Sequence, residues 1–417
     1  MKEVYRRCCG MDVHKETVVA CVLPPDGKPG DPLKKIFGTF RKDLTRMRGW
    51  LKLLKVTDIA MESTGVYWRP IWNVLEDQGF ERLLLANPVQ VKALAGRKSD
   101  GRDCQRIAEY MQDRRLDASL VPSRQIRELR HLLRHRLSLL HQRNEAHNQI
   151  RDLFETANVK LSSVLSHLLG LSGRRIIEAL IAGEDSPDKL SWKVRGRLRK
   201  KEQLVKESLK GCFNSFHRTM LETLYQQYQF LSGQIDRFNT LLSEHMAPFS
   251  VQIDLLTTIP GVDRIVAWHL IAELGADMTV FPTADHCASW AGMTPGDDES
   301  AGKQRSTRCK KGNKFLRRVL VQSAWAASRC KQGYLRALFF RIKARRGWSK
   351  AVIAVGHKIL VIAYNILRTR TPYFDLGDDY FDRLNPIRTT RRLVHRLERL
   401  GLHVQLSAAS PSPELNN

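Results

Sequence analysis

The sequence predicts an α/β plus α chain: an N-terminal layer of alternating strands and helices, then a long helical remainder. Three observations carry that reading. Strand and helix signals alternate over roughly the first 115 residues, strand signals then vanish over roughly 120–250, and the rest reads as short helices broken by a Pro-Gly turn and a polar loop.

The elements follow in order. CCGMDVHKETVVACVLPPDG reads as two strands, because VVACV is rich in β-branched residues and the PPDG turn closes the second. KKIFGTF is a third strand, an amphipathic helix surrounds RMRGWLKLLK, and VTDIAMES is a fourth strand ending at Glu62. YWRPIWNVLEDQG is a helix stopped by Gly79, RLLLANP is a fifth strand, and CQRIAEYMQ continues KSDGRDC as a helix. RQIRELRHLLRHRLSLLHQRNEAHNQIRDLFE is a long charged helix with an apolar stripe. A second is expected from about Glu202 to Met246, where Phe213, Phe216, Met220, Leu224, Tyr228, Leu231, Ile235, Phe238 and Leu242 recur by threes and fours. Both read as coiled-coil arms, pairing either within one chain or between chains. LLTTIPGVDRIVAWHLIAELG is helix, turn and helix: an ordinary hairpin, or one whose second helix offers backbone N–H groups to a phosphate. Helices at CASWAG and KFLRRVLVQSAWAASR flank the polar loop TPGDDESAGKQRSTRCKKGN. The expected division is 1–118, 119–250, 251–372 and a tail, 373–417, whose polar end SAASPSPELNN is expected to be disordered.

Charge points to the partner. Among 417 residues, 69 Lys and Arg stand against 43 Asp and Glu, a formal charge of +26 on a chain that is 42% hydrophobic. That describes a folded protein facing a polyanion, nucleic acid first, rather than a merely solvated surface. Arg305, Arg308, Lys310, Lys311, Lys314, Arg317 and Arg318 cluster around the polar loop as a candidate phosphate-tracking patch. Eight cysteines without a CxxC pair fit neither a zinc ribbon nor a disulfide framework, so a reducing compartment is expected. The apolar run Val18 to Leu23 is too short for a signal-peptide core, and VIAVG and ILVIAY are split by His357 and Lys358. A cytoplasmic protein with no membrane partner is the expectation. His131 and His135, at i and i+4, suit a solvated face better than a metal without a third ligand.

Four acids frame the chemistry. Asp100 and Asp103 lie three apart among Arg97, Lys98 and Arg102, on one face at a helix start; alone they could simply cap it. Asp12 sits inside the first strand, where a lone acid is costly unless partnered, and Glu62 ends the fourth, at the edge where α/β sheets place their sites. Should strands one and four be neighbours with that helix over them, four carboxylates converge, and such oxygen-rich sets suit Mg²⁺ or Mn²⁺ and two-metal phosphoryl transfer.

GMDVHK, MESTG and KSDGRDC resemble the D, E, D, D motifs of the insertion-sequence one-ten transposases. IPGV, WAGMTPG, ESAG and KKGNKFLRRVL resemble that family's C-terminal transposase domain, in the same order. The resemblance implies an N-terminal ribonuclease H-like domain of the Holliday-junction-resolvase kind and a recombinase that cleaves and rejoins donor and target DNA. It also implies a structured bridge RNA as guide, Asp12, Glu62, Asp100 and Asp103 as metal ligands, and Ser300 as a nucleophile that becomes covalently linked to phosphate. A homo-oligomer, dimer or tetramer, is expected, since two duplexes must be held together. Ser306 and Thr307 are rival hydroxyls in the same loop, and this chain reads Ser300-Ala301-Gly302 where some relatives have Ser-Gly. The competing readings are a metal-dependent resolvase-like nuclease that hydrolyses without a serine, and a non-catalytic nucleic-acid-binding protein.

Overall fold

The computed structural model describes residues 7–24, 31–62, 65–87, 100–296, 299–300, 303–304 and 308–407; the side chains at 100–101, 299–300 and 303–304 lie outside that description. Two compact units are formed, Met1–Pro122 and Ser123–Asn417.

The first unit is a five-stranded mixed sheet with helices. Its strands are β1 (Cys8–Val13), β2 (Thr17–Val22), β3 (Leu33–Gly38), β4 (Asp58–Glu62) and β5 (Arg82–Ala86), and its helices α1 (Arg41–Leu53), α2 (Trp68–Leu75) and α3 (Asp100–Gln112). Spatial order is β3-β2-β1-β4-β5. β2 runs antiparallel to β1 and β3, while β4 is parallel to both β1 and β5. The period-2 alternation of β1 separates its two faces. Cys9, Met11 and Val13 point into a core with Leu44, Met47 and Leu51 of α1 and Ile71 and Leu75 of α2. Cys8, Gly10 and Asp12 face the other way, toward α3.

Gly10 decides how closely α3 approaches. A Cβ at that position would lie 2.1 Å from the Cys104 carbonyl oxygen and 2.4 Å from the Ala108 amide nitrogen, so the helix backbone rests directly on the strand. Ile107 and Met111 of the same helix pack with Cys8, Ala60 and Leu84, toward the amino ends of β1 and β4. The helix therefore runs against the strands, with its N-terminus toward their carboxyl ends.

The second unit is helical. Its longest members are α4 (Arg124–Thr156) and, after the short helices α5 (Leu161–Val164), α6 (Leu171–Ile181), α7 (Pro187–Ser191) and α8 (Glu202–Ser208), the 32-residue α9 (Ser215–Met246). The helix expected from Glu202 is thus two helices. Asn214 starts the second with a reciprocal capping box to His217, which fixes a new helix start where an apolar repeat alone suggested continuity. α4 and α9 pack antiparallel: Phe154 meets Phe213, just before α9, Leu139 meets Leu231 and Ile235, and Arg136 donates to Asn239 Oδ1 at 2.6 Å. Leu231 and Ile235 are therefore used up inside the chain, the intramolecular alternative.

Next come α10 (Ser250–Thr257), α11 (Arg264–Leu274), α12 (Ala284–Trp290), the two-residue strands β6 (Glu299–Ser300) and β7 (Lys303–Gln304), α13 (Lys314–Ser328), α14 (Tyr334–Arg346) and α15 (Trp348–Thr369). Two short helices, α16 (Tyr380–Arg383) and α17 (Pro386–Glu398), lie within the expected tail. α15 joins the two apolar runs that the sequence separates at His357 and Lys358. By length and composition, at a mean hydropathy of 1.5, it is apolar enough to cross a membrane, and 56% of that stretch is buried within the protein. Its Val355, Ile359, Leu360 and Ala363 are in the core.

One buried carboxylate ties this unit together. Glu273 of α11, 1% exposed, receives both arms of Arg134 at 2.8 Å, lies 3.3 Å from Arg130, and accepts from Asn313 Nδ2 at 2.6 Å. Arg130 also donates to the Ala272 and Glu273 carbonyls, which end α11, so α4 caps α11 while Asn313, itself the N-cap of α13, is held in place. Nearby His269 is buried, which pushes its pKa down to about 4 from an ordinary 6.5, Glu273 opposing the shift.

Two outcomes follow for stability. Gly10→Ala forces α3 off the sheet and should destabilise the first unit by about 1–3 kcal/mol, read as a lower denaturant midpoint. For His269, folding depresses the pKa, so below an ordinary 6.5 the unfolded chain takes a proton that the folded one refuses until about pH 4. Stability should therefore fall as pH drops through that window, and His269→Gln should flatten the fall in thermal melts recorded across it.

Candidate active site and nucleic-acid interface

Strand register brings the first two acids together. β1 and β4 pair in parallel through Met11 and Met61, so the next positions, Asp12 and Glu62, extend the same register on the same face at the carboxyl end. Adjacent strands lie about 4.8 Å apart, which makes the two residues neighbours. Asp12 is 6% exposed and its Oδ2 lies 3.2 Å from His14 Nε2. Glu62 is half-buried.

Helix α3 brings the other pair to the same end. Asp100 is its first residue and Asp103 its fourth, both in the turn that faces the carboxyl ends of β1 and β4. Asp103 is 30% exposed at its side chain, with Arg106 Nη1 3.7 Å away. The next residue, Cys104, points down against Cys21. A hydrogen bond with Cys21 is the main cause holding its thiol below the ordinary value, while burial and the Asp12 carboxylate act the other way. Asp12 is thus within electrostatic reach of the first turns of α3. The backbone places all four acids at one end of one face, although the Asp100 side chain is outside the described residues. Among the described residues, no three His, Cys, Asp or Glu side chains are already gathered closely enough to hold a metal ion. In chemistry the donors fit a hard divalent cation, since all four are carboxylates.

Ser300 lies in the β6–β7 hairpin, paired with Lys303. Ala301, Gly302, Arg305, Ser306 and Thr307 lie outside the described residues. The loop around the hairpin is held by close glycine contacts. A Cβ on Gly312 would fall 2.4 Å from the Gly292 nitrogen, and Pro295 bridges Cys309. Arg317 donates to the Gly292 carbonyl and, at 2.6 Å, to that of Lys310. Its guanidinium thereby joins WAGM to KKGN, a use the sequence reading did not foresee. Arg308, Lys311, Lys314 and Arg318 are exposed and Lys310 half-exposed; Arg318 lies 2.7 Å from His141 Nε2.

The Pro-Gly hairpin takes the ordinary form. Asp263 caps α11 by accepting from the Val266 amide at 2.7 Å, placing a carboxylate where a phosphate would have to sit. A Cβ on Gly261 would meet the Ser323 carbonyl at 2.4 Å, so the turn packs on α13. His135 packs against Phe238, ring centroids 5.0 Å apart. What the sequence reading missed is Gly10, His14 beside Asp12, and the Glu273 junction behind the basic loop. Gly10 was visible as the residue two before Asp12, but only the helix contact shows why it is glycine.

Comparison with known proteins follows this geometry. A DEDD-type transposase domain of the IS110 kind matches residues 9–158, spanning β1 to α4, and a domain described as transposase of the IS116/IS110/IS902 family matches 253–339, spanning α10 to α14. The chain is 26% identical over 194 residues to the pilin gene-inverting protein of Moraxella lacunata, covering 45% of this chain and 60% of that one. It is 30% identical over 143 residues to the transposase of insertion sequence element IS1328 from Yersinia enterocolitica, covering 34% and 40%. Over 155 residues it is 31% identical to an uncharacterized protein of insertion element IS110 from Streptomyces coelicolor, covering 37% and 36%. These alignments span 60% or less of each relative's length. Both domain types are present in order, so the chain carries the two transposase domains of the IS110 family.

Proposed function

We propose that the protein is a DNA recombinase of a mobile element, cleaving and rejoining donor and target DNA under the guidance of a structured bridge RNA. The observation that carries the catalytic part is the parallel register of β1 and β4, which sets Asp12 beside Glu62 at the edge approached by the start of α3. Sheet order β3-β2-β1-β4-β5 with an antiparallel β2 supports reading the first unit as ribonuclease H-like. Similarity to a pilin gene-inverting protein and to a transposase supports DNA as the substrate. The charge of +26 supports polyanionic partners, RNA included. A cytoplasmic location suits that work.

Asp12, Glu62, Asp100 and Asp103 would hold Mg²⁺ or Mn²⁺, which supplies positive charge to the attacking and leaving oxygens of phosphoryl transfer. The residues' own parts differ. Asp12 is buried and positioned by its strand and by His14; Asp103 is more exposed and stands one turn into the helix. Ser300 forms a bond from Oγ to phosphorus as the phosphorus–oxygen bond to the leaving strand breaks, and the released strand leaves with a hydroxyl. Because one phosphodiester replaces another, rejoining needs no external energy source. The exposed cations Arg308, Lys311, Lys314 and Arg318, with Lys310 and Arg305, track phosphates; Arg317 contributes by shaping their loop. A homo-oligomer, required to hold two duplexes, would use surfaces other than Leu231 and Ile235.

Two experiments test this. Asp12→Asn, Glu62→Gln, Asp100→Asn and Asp103→Asn should each lower strand cleavage by about 100-fold or more while nucleic-acid binding stays near wild type; cleavage retained in the Asp100 or Asp103 variant would return that residue to helix capping. On a denaturing gel with labelled DNA and Mg²⁺, wild type should form a covalent adduct that Ser300→Ala lacks and Ser306→Ala retains. No wild-type adduct on a substrate that is nonetheless cut would point to the hydrolytic nuclease.

A further inference from the structure

Outside the acidic face and the basic loop, the second unit carries an aromatic surface that neither role uses. Trp325 of α13 and Trp348, the first residue of α15, stack with ring centroids 4.9 Å apart at 23°. They remain 37% and 45% exposed, and Phe340 of α14, beside them, is 41% exposed. The core beneath is already filled by Phe339, fully buried and in contact with both indoles. Packing therefore does not require two large rings to stay at the surface, and a contiguous cluster of exposed aromatics marks a candidate contact surface.

The surroundings say which kind. Lys343 Nζ lies 4.0 Å from the Trp348 ring and 5.5 Å from Phe340, and the Arg336 guanidinium lies 4.9 Å from Phe340. Along α13 the exposed positions Lys314, Arg318, Gln322, Trp325 and Arg329 recur at spacings of four, four, three and four, one continuous stripe. That stripe leads from the basic loop after the Ser300 hairpin to the stacked indoles, about 17 Å along the helix. Cations in a row with a partly exposed aromatic pair at the end form the combination that binds unpaired nucleotides: phosphates follow the charges, and an unpaired base packs on the exposed part of the rings. Duplex DNA offers the charges nothing less but keeps its base faces covered.

We infer that Trp348 and Trp325 form a stacking platform for single-stranded DNA, with Lys314, Arg318 and Arg329 as the phosphate track leading to it. The choice of DNA rests on the proposed reaction, in which a strand is released near the Ser300 end of this same helix; the platform itself rests on the rings and charges. Trp348 lies beyond both domain matches, which end at residues 158 and 339.

The test is fluorescence anisotropy with a labelled oligothymidylate, the same length of oligouridylate and a duplex, in EDTA so that no cleavage intervenes. Oligothymidylate should bind wild type, weaken about 10-fold or more in Trp348→Ala and stay near wild type in Trp348→Phe, while duplex binding changes little. Arg329→Gln, on an exposed position that leaves the rings intact, should lower the salt slope for the single strand by about 0.7. Equal binding by a folded Trp348→Ala protein, dependence on Trp348 for oligouridylate alone, or a wild-type dimer that Trp348→Ala dissolves without any single-strand affinity would each overturn the inference. Asp12→Asn should bind the single strand like wild type, so failure here leaves the cleavage reading standing, and failure of cleavage leaves this one.

Discussion

A helix resting on a strand with no side chain between them is the contact on which the acidic edge depends. At Gly10 the backbone of α3 comes within a distance that even a methyl group would forbid. Any side chain there would lift the helix, and its first turn carries half of the candidate acids. The usual expense of glycine in a strand, weaker packing and greater chain entropy, is accepted in exchange for bringing the start of α3 to the edge that carries Asp12 and Glu62. Burial then fixes the rest: Cys104 and Ala108 on the helix's sheet side pack with Val19, Cys21 and Leu23, and Ile107 and Met111 anchor its other end.

The second unit solves a similar problem with charge. Glu273 could be buried only because Arg130, Arg134 and Asn313 satisfy it, and those partners come from a long helix and from the N-cap of the helix that follows the basic loop. Removing one partner of such a buried group typically costs about 3–5 kcal/mol. Here that cost would fall on the loop's position as much as on stability. Arg317 adds a second brace between the two glycine-containing segments. The exposed charges around the basic loop are thus displayed by buried ones behind it.

Much of the first unit was legible because its signals are local. β-branched runs, an alternating pattern and a terminal glycine suffice to mark strands and helices, and Asp12 stands out because an acid amid apolar strand residues has to have a reason. The break between Ser208 and Ser215 was missed because hydrophobic spacing says nothing about a capping box, which depends on two side-chain bonds between Asn214 and His217. Arg317 was read as phosphate-binding for a related reason: composition reveals a cation, while its occupation by two backbone carbonyls is a property of the folded loop. Splitting the apolar residues around His357 and Lys358 likewise overlooked that a helix can carry both on its less buried side and remain one element.

The pairing of β1 with β4 has a further meaning for how this chain can vary. Side chains alternate along a strand, so shifting either strand by a single residue would send Asp12 or Glu62 to the opposite side of the sheet, into the core occupied by Met11 and Met61. Exchange of one apolar residue for another of similar volume at those core positions leaves the acids where they are. Loss or gain of one residue within Cys8–Val13 or Asp58–Glu62 does not, however conservative its chemistry. What selection must preserve along these strands is a count before it is a composition.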